Sequence, residues 1–382
     1  MIRILHILDS LDYGGIESFI INMYKEINRS EVQFDFLIFK EKNCYENIVH
    51  ELGGRVYKYD INDRNKIIKA IKSIRVIRKT IINGEYKIIH CHNCSLIGLL
   101  KATITGKICK CTKTVIAHSH NTGMPKNTWF DNKIRLILKA LVDWSSDYYF
   151  ACSKEAALSK YSSKLLSEKN QRFRIIHNAI DIKKFQYNDI ERKEIRKKLD
   201  VVDKFVIGHV GRFEYQKNHL FLIRVFKEVL DRKADAVLLL VGGGSLEKKI
   251  KKEISNLKIK DKVIFLGKQK DISDIYKCMD VFVFPSYFEG LGIALIEAQI
   301  SGLPCIISDN IPNEAKLTNK VKAIGLEEDV ITWANKILEN NMNEDRKVDI
   351  SNIKKRGYDL AEEARKLEYM YLSMYNYLNT IR

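Results

Sequence analysis

Residues 284–304 read FPSYFEGLGIALIEAQISGLP, and this stretch decides the fold. The buried-type strand 281–284 runs into a proline–serine turn, then a short glycine-bearing loop, and then an apolar helix begins. Glu289 and Glu297 stand eight positions apart, a little over two helical turns, so both carboxylates are expected near one side of the element. Carboxylates suit polyol hydroxyls, whereas loop amides and a helix N-terminus suit phosphate. The stretch therefore predicts a pocket for a nucleotide sugar.

Around this stretch the whole chain alternates apolar strand-like runs with helical patterns. Such alternation predicts parallel sheets wrapped by helices. A first series of expected strands covers 2–8, 34–39, 55–59, 87–91, 113–118 and 147–153, with helices near 16–28, 64–82, 95–105 and 130–145. A second series covers 205–211, 236–242, 262–267, 280–285 and 304–309, and after about residue 350 the chain reads as helix to its end.

The length of 382 residues predicts about two domains, each with enough apolar material for its own core. The segment 178–203 is polar, charged and poor in strand signals, so we place the connection between the domains near 172–180. The expected domains are residues 1–175, joined by the terminal helix at about 360–382, and residues 176–359.

The net charge of +17 implies an anionic partner, which is a nucleotide, a nucleic acid or an anionic lipid surface. Residues 64–79, RNKIIKAIKSIRVIRK, hold seven basic residues and no acidic one. Isoleucines recur there at helical spacing, which predicts a basic amphipathic helix that packs its isoleucines on a sheet. Two interpretations of the basic face stay open: simple exposure to solvent, or contact with a membrane surface as well.

The N-terminus starts directly as a strand, so we expect no signal peptide, and no window is apolar enough to predict a transmembrane helix. The eight cysteines are then expected as free thiols in a reducing cytosol. The run Cys91-His92-Asn93-Cys94 imitates a zinc site, but it follows a strand end rather than a ribbon-type knuckle, and we expect no metal there.

The pair of glutamates in its strand–loop–helix setting resembles the donor motif of the retaining GT-B glycosyltransferases of family 4, of the bacterial capsular and exopolysaccharide type. Other segments match in the same order along essentially the whole chain. The resemblance implies an α/β fold with two Rossmann-like, doubly wound domains facing a cleft and a C-terminal helix crossing back to the first domain. The first domain would bind the acceptor and the second the nucleotide-sugar donor.

Two basic residues follow another expected strand end, in GHVGRFEYQKNH (208–219). No Asp-x-Asp pair occurs in the chain, so protein cations rather than a metal ion are expected to balance a leaving diphosphate. Cations are electrostatically unfavourable near a helix N-terminus, which favours a functional role. By resemblance to the family, Arg212 and Lys217 grip the diphosphate.

The resemblance also assigns roles within the glutamate motif and the first loop. By this resemblance, Glu297 contacts the ribose hydroxyls and Glu289 contacts the sugar hydroxyls. By the same resemblance, the Gly292–Ile293 backbone contacts the phosphates. The turn after the first strand resembles the glycine-rich turn of the family, where the amides of Gly14 and Gly15 approach the β-phosphate or the acceptor. A tight strand–helix turn is the other reading of these glycines, and both can hold together.

A histidine completes the expected site. The strand 113–118 ends in His118, which aligns with the family histidine that reaches the donor sugar and the reacting centre. His120 is its competitor because it also leaves the sheet edge, and His90 and His92 rank below both.

The resulting hypothesis is a retaining, metal-independent glycosyltransferase of the hexosyltransferase type, without a cofactor. It would use a UDP-linked donor and a saccharide acceptor carried on a polyprenyl diphosphate, for bacterial surface or capsular polysaccharide. We expect it in the cytoplasm, peripherally bound to the anionic inner face of the plasma membrane. A nucleotide-sugar epimerase on the same fold is the first alternative. A basic nucleic-acid-binding protein is the second, although its case rests on charge alone and we expect no nucleic-acid partner.

Overall fold

The computed structural model describes residues 1–12, 14–40, 44–61, 63, 65–93, 95–120, 129–167, 169–269, 271–339 and 345–380. The chain forms two compact units. Unit 1 consists of Met1–Ala179 and Gly357–Arg382, and unit 2 of Ile180–Arg356. Each unit has one parallel sheet covered by helices, which confirms the doubly wound α/β class expected from the sequence.

Unit 1 is built on a seven-stranded parallel sheet with the order β3-β2-β1-β4-β5-β6-β7. The segment near 173–175 was placed within the expected connection between the domains, but it pairs with its neighbour and forms the edge strand. The strands are β1 (Ile2–Leu8), β2 (Val32–Ile38), β3 (Val56–Lys58), β4 (Ile88–Cys91), β5 (Thr114–Ser119), β6 (Tyr148–Ala151) and β7 (Phe173–Ile175).

Helices cover both faces of this sheet, because its strands are apolar on both sides. The elements α3, α4 and α5 pack on the face that includes Leu5, Leu37 and Ile89, and α1 packs on the other. The helices are α1 (Gly15–Glu26), α2 (Glu46–Glu51), α3 (Lys66–Asn83), α4 (Leu96–Ile108), α5 (Trp129–Ser145) and α6 (Lys154–Lys160).

Unit 2 holds a six-stranded parallel sheet with the order β10-β9-β8-β11-β12-β13. The strands are β8 (Phe205–Val210), β9 (Ala236–Val241), β10 (Val263–Gly267), β11 (Val281–Phe284), β12 (Cys305–Ser308) and β13 (Val321–Ile324). The helices are α7 (Ile182–Phe185), α8 (Asp189–Lys198), α9 (His219–Leu230), α10 (Glu247–Asn256), α11 (Ser273–Cys278), α12 (Ile293–Ile300), α13 (Val330–Leu338) and α14 (Ile350–Lys355).

The terminal helix α15 (Leu360–Thr380) belongs to unit 1, as expected for a helix that returns to the first domain. It lies on the same face as α1, where Leu367 and Tyr371 join the core. Glu368 also accepts a hydrogen bond from the backbone N–H of Asn28, at 2.8 Å.

The basic helix α3 differs from the expected packing. Ile77 and Ile81, in its second half, are buried on the sheet, but Ile67 (71% exposed) and Ile71 (45%) face solvent. The isoleucine stripe therefore packs only at its C-terminal end, because the first turns of the helix extend past the core.

Each sheet has one point where the strand order reverses direction. In unit 1 this point lies between β1 and β4, and in unit 2 between β8 and β11. Ligands of such sheets bind in the crevice outside the carboxyl ends of the strands at this point. The loops after β8 and β11 carry the two motifs that the sequence singled out, so the fold brings them together at one place.

Candidate functional site

A buried ion pair joins the two motifs at this switch point. Lys217 Nζ donates to Glu289 Oε1 at 2.7 Å, although the residues stand 72 positions apart. Both side chains are largely buried, at 13% and 7% exposure. Gln216 adds a hydrogen bond from Nε2 to Glu289 Oε2, at 3.2 Å. The carboxylate of Glu289 is thus held from both oxygens by the loop after β8.

Local structure explains the position of Lys217. It ends a short 3-10 turn, Tyr215–Lys217, and Asn218 then takes a left-handed conformation (φ 53°) before α9 begins. The ammonium lies 4.4 Å from the ring centroid of Phe284, the last residue of β11. Burial lowers the pKa of Lys217 below its usual value, and Glu289 opposes that shift. Glu289 and the aromatic ring therefore stabilise a cation that the helix N-terminus disfavours.

Arg212 occupies a different environment from Lys217. It is exposed, and no hydrogen bond or ion pair to its guanidinium is found among the described residues. Its positive charge reaches Lys217 closely enough to contribute to the lowered pKa of that ammonium. Two cations at one strand end repel each other, and an anion placed between them would relieve this repulsion.

The loop after β11 ends at Gly292, which has a φ of +79° and directly precedes α12. That conformation is costly for most side chains with Cβ, so glycine is favoured at this position. Ile293 begins the helix, and the N–H groups of a first helical turn have no partner within the helix. The turn thus presents a helix N-terminus on the same loop as Glu289, which suits a phosphate group.

Glu297 lies one turn further, within α12, whereas Glu289 belongs to the preceding loop. The two glutamates therefore do not lie on one helix, although both carboxylates are close enough to Lys217 to raise its pKa. Tyr276, on α11, donates a hydrogen bond from its hydroxyl to Glu297 Oε2 at 2.8 Å. Burial raises the pKa of Glu297 to about 7, while the Tyr276 hydrogen bond and the Lys217 charge act in the opposite direction.

The sequence reasoning did not anticipate Gln216 or Tyr276 as parts of this site. Gln216 directly precedes Lys217, and its contact with the loop after β11 gives it a positioning role. Tyr276 lies on a helix with an ordinary pattern, so no local signal marks it. Both contacts come from strand order, which brings together loops that are distant in sequence.

Three consecutive glycines, residues 242–244, follow β9, and the structure gives two of them a packing role. Gly242 has a φ of +134°, and a Cβ there would lie 2.0 Å from the carbonyl oxygen of Gly211. A Cβ on Gly244 would lie 2.6 Å from the carbonyl oxygen of Phe213. These glycines let the loop after β9 press against the loop that carries Arg212.

The corresponding end of unit 1 has a different charge. Gly14 caps α1 and Gly15 begins it, and no atom comes within 4 Å of a Cβ built on Gly15. Glu17 in the first turn bonds to Ser10, and burial raises the pKa of its carboxyl group, with Asp9 and Asp12 adding to the shift. The turn is thus open at Gly15, whereas a Cβ on Gly14 would lie 2.3 Å from Glu17 Oε2. The nearby carboxylates suit hydroxyl groups better than phosphate.

Five histidines lie together on one face of the unit 1 sheet, at the carboxyl ends of β1, β4 and β5. We call this group the histidine cluster; its members are His6, His90, His92, His118 and His120. Burial lowers the pKa of every member below its usual value, so the imidazoles are neutral at pH 7. The sequence analysis considered four of these residues as separate candidates for one site histidine and did not predict a cluster.

The two competing histidines of β5 differ in exposure. His118 is 0% exposed, and its Nδ1 lies 3.1 Å from Nε2 of His90. His120 is partly exposed, and its Nε2 lies 2.8 Å from Nδ1 of His92. The two rings stack with centroids 3.9 Å apart. A molecule at the sheet edge would therefore meet His120 before His118.

Known families match the chain in two successive segments. "Glycosyltransferase Family 4" matches residues 13–184, and "Glycosyl transferases group 1" matches residues 191–356. EpsF from Bacillus subtilis (strain 168) is 31% identical over 341 residues, which cover 88% of this chain and 86% of that relative. An Escherichia coli relative, UDP-Gal:alpha-D-GlcNAc-diphosphoundecaprenol alpha-1,3-galactosyltransferase, is 26% identical over 361 residues, 90% of each chain.

Solved structures agree with these matches. The crystal structure of Anabaena Alr3699/HepE in complex with UDP and glucose aligns with a TM-score of 0.69 and 16% identity, over 100% of this chain and 99% of that one. Two parallel-sheet, Rossmann-like domains of this kind define the GT-B class of glycosyltransferases. Within that class, the chain belongs to the group 1, family 4 glycosyltransferases, which confirms the resemblance, and it is a transferase enzyme.

Proposed function

We propose that this chain is a retaining, metal-independent glycosyltransferase that uses a UDP-linked donor. The acceptor is a saccharide on a polyprenyl diphosphate, and the product serves surface or capsular polysaccharide. The observation that carries the proposal is the contact of Lys217 with Glu289 at the switch point of unit 2, beside Gly292 and Glu297. The Escherichia coli relative, whose name includes UDP-Gal and diphosphoundecaprenol, and the UDP in HepE support this choice of donor and acceptor.

In this proposal unit 2 binds the donor. The diphosphate lies against Lys217, Arg212 and the N-terminus of α12, where positive charge and N–H groups balance the charge that grows as it leaves. Glu289 accepts hydrogen bonds from sugar hydroxyls, and Glu297 accepts them from the ribose. Lys217 is already held by Glu289 before the donor arrives, so little reorganisation is required when the bond breaks.

Unit 1 binds the acceptor in this proposal. The turn at Gly14 and Gly15, open at Gly15 and with Glu17 packed against Gly14, offers N–H groups and a carboxylate to acceptor hydroxyls. His118 was expected at the reacting centre, and its stacked neighbour His120 is the better placed for direct contact. Replacing each in turn by asparagine distinguishes a contact with substrate from a packing role.

The proposed transfer proceeds on one face of the sugar. The bond from the anomeric carbon to the diphosphate oxygen breaks, the acceptor oxygen forms the new bond on the same face, and the acceptor proton passes to the diphosphate. The ion pair with Lys217 makes Glu289 a weak nucleophile, which favours this route over a covalent sugar intermediate.

A panel of UDP-sugars, with and without a polyprenyl-diphosphate-linked acceptor, tests this proposal. We expect UDP release that depends on acceptor, and a product that keeps the anomeric configuration of the donor by NMR. An inverted product would overturn the retaining mechanism. An isomerised sugar formed without acceptor would indicate an epimerase, and salt-sensitive RNA binding without turnover would indicate a nucleic-acid-binding protein.

Transfer should persist in excess EDTA, because Lys217 and Arg212 supply the charge that a metal ion would otherwise supply. The measurement compares the initial rate before and after chelation, with the chelator kept in the assay. Loss of activity that Mg²⁺ or Mn²⁺ restores would contradict the metal-independent reaction.

The donor KM should depend on pH through Glu297, whose pKa is raised to about 7. Only the carboxylate offers both oxygens as acceptors, so donor KM should rise as pH falls below about 7, with kcat for the bound complex little changed. A UDP-sugar has no phosphate group that titrates near pH 6, unlike UDP, and it is therefore the correct probe.

Glu297→Gln should raise donor KM by roughly 10- to 100-fold, as expected for a hydrogen bond to a charged group worth about 1.5–3 kcal/mol. It should also flatten the pH dependence of KM. If Glu297→Gln changed kcat more than donor KM, Glu297 would be assigned to the sugar and Glu289 to the ribose.

Exposed apolar residues support the membrane part of the proposal. Within the part of the chain that the structure describes, no helix is both long and apolar enough to cross a membrane. Helix α5 exposes apolar residues at helical spacing, with Ile137 at 61% and Trp144 at 62%, and basic residues stand among them. Helix α3 exposes Ile67 beside its own basic residues. Such surfaces suit the interface of an anionic membrane.

The protein should therefore co-sediment with anionic vesicles, and salt should release it because the attraction is screened. Each basic residue near the surface contributes about 1 kcal/mol, so four substitutions in α3 should weaken binding strongly. The variant replaces Lys66, Lys69, Lys72 and Arg75 with glutamine.

A second variant, Ile137→Gln with Trp144→Gln, tests the apolar part of the contact. The matched control for the α3 variant removes four positive charges from exposed positions of α10 in unit 2 and should bind vesicles like wild type. It replaces Lys248, Lys249, Lys251 and Lys252 with glutamine. Equal binding to neutral and anionic vesicles by the wild-type protein would contradict the proposal.

A further inference from the structure

Two hydrogen-bonded chains of imidazoles run through the histidine cluster. In the first, His6 Nδ1 lies 3.0 Å from His92 Nε2, and His92 Nδ1 lies 2.8 Å from His120 Nε2. In the second, the hydroxyl of Tyr371 lies 2.6 Å from His90 Nδ1, and His90 Nε2 lies 3.1 Å from His118 Nδ1. The two chains run side by side and end at the same sheet edge.

The ends of these chains are unsatisfied. Nε2 of His118 and Nδ1 of His120 are buried, and among the described residues neither has a hydrogen-bond partner. Nε2 of His6, at the other end of the first chain, is unpaired in the same way. Buried polar atoms are nearly always paired, so these three nitrogens require an explanation. A glycosyl transfer that is driven by the cations of unit 2 does not explain why five histidines are grouped in unit 1.

We propose that His92, His118 and His120 form a binding site for one divalent transition-metal ion of the zinc type. Ring nitrogens of these three residues all lie within 4.8 Å of one another. Zinc binds imidazole nitrogen at about 2.0–2.1 Å, so neighbouring ligand atoms of a tetrahedral site lie about 3.3 Å apart. Small ring rotations convert the observed spacing into that geometry. The fourth position then remains for water or another small ligand.

The protons of the cluster are compatible with this site. A metal ion bound by His92 Nδ1 and His120 Nε2 takes the place of the single proton that the two atoms now share. That proton moves to an outer ring nitrogen, and no net proton is released because the imidazoles are neutral. Neutral imidazole is also the form in which histidine binds metals.

Two of the three ligands already have the outer partners that a metal site needs, whereas the outer Nδ1 of His120 has none among the described residues. With His118 bound through Nε2, its Nδ1–H donates to His90, and His90 in turn donates to Tyr371. His92 donates from Nε2 to His6 in the same way. Metal-binding histidines almost always donate their second N–H to a neighbouring acceptor, which orients the ring.

A second trio, His6, His90 and His92, also has nitrogens within 4.8 Å of one another. All its members are buried, whereas His120 is partly exposed and provides a path from solvent. This difference favours the site at His92, His118 and His120.

Spectroscopic and calorimetric titration tests the site without any assay of transfer. Untagged protein, freed of metal with EDTA and then dialysed, is titrated with Co²⁺ and, separately, with Zn²⁺. We expect one ion per chain, the visible absorption of four-coordinate Co²⁺, and a rise in Tm with added Zn²⁺, because a ligand that binds only the folded state stabilises it.

Variants locate the site. His120→Asn and His118→Asn should each weaken Zn²⁺ binding by at least ~100-fold, the upper end of what changes to surrounding residues alone cost. The controls His50→Gln and Cys44→Ser, at exposed positions of unit 1, should bind like wild type. Circular dichroism and Tm without metal establish that each variant is folded.

Three results would overturn the proposal: no binding at micromolar Zn²⁺, loss of binding in a control variant, or binding that depends on His6 and His90 but not on His118 and His120. The inference does not require the proposed transfer, although it uses His118 and His120, which that proposal places near the acceptor. Activity in EDTA tests metal-free chemistry, and metal binding by an inactive variant such as Lys217→Ala would still establish the site.

Discussion

Replacing Lys217 with alanine should lower kcat/KM for the donor by at least ~100-fold, the usual effect of removing one group that stabilises developing charge. Arg212→Ala should have a similar effect, because its exposed guanidinium is available to the same diphosphate. Steady-state kinetics with the acceptor at saturation measures both. Lys251→Ala, an exposed lysine of α10, is the matched control and should match wild type.

The two cation variants should differ in stability. Lys217→Ala leaves the buried carboxylate of Glu289 without its cation, which costs roughly 3 kcal/mol for a buried pair, whereas Arg212→Ala removes no such contact. Adding Glu289→Gln to Lys217→Ala should restore much of the Tm but none of the activity. Near wild-type rates in both single variants would place the diphosphate elsewhere.

Glu289→Gln should lower kcat by roughly 100-fold or more while donor KM changes little. Glu289 is expected to hold the sugar that reacts, so its contacts matter most in the transition state, and losing them costs about 2.7 kcal/mol for each 100-fold. The substitution keeps the shape of the side chain and removes its charge. A loss that appears mainly in KM would instead assign Glu289 to ground-state binding.

The pH dependence of kcat in Glu289→Gln distinguishes two explanations of the lower activity. Glu289 raises the pKa of Lys217 against the effect of burial, so removing its charge lowers that pKa further. If Glu289 acts only by keeping Lys217 protonated, the activity of Glu289→Gln should recover as pH falls through the lowered pKa. If Glu289 positions the sugar, kcat should stay low at every pH.

Much of the fold could be predicted from local sequence patterns. The alternation of strands and helices predicted both parallel sheets, and the run into Gly292 predicted the turn before α12. The predicted packing of α3 was wrong for the first half of the helix. Helical spacing shows which residues share a face, but not how far the neighbouring core extends. The edge strand β7 was missed because a short strand has little pattern of its own.

The candidate site was likewise only partly predictable from the sequence. Glu289, Glu297, Arg212 and Lys217 could be selected from their residue types and from glycine turns beside strand ends. The role of Tyr276 could not, because its hydroxyl meets Glu297 through the packing of α11 against α12. The histidine cluster was equally hidden, since its members come from three strands that are neighbours only in the folded sheet.

The sequence by itself determined the class of fold and, through its resemblance to family 4, the family. It also selected the residues proposed to bind a nucleotide sugar, because periodicity, turn residues and motif spacing are properties of neighbours along the chain. Only the tertiary structure decided which charges meet. The strand order placed β8 beside β11 and so joined Lys217 to Glu289 across 72 positions. Burial then raised the pKa of Glu297 to about 7, because desolvation depends on every atom packed around a group and not on its position in the sequence.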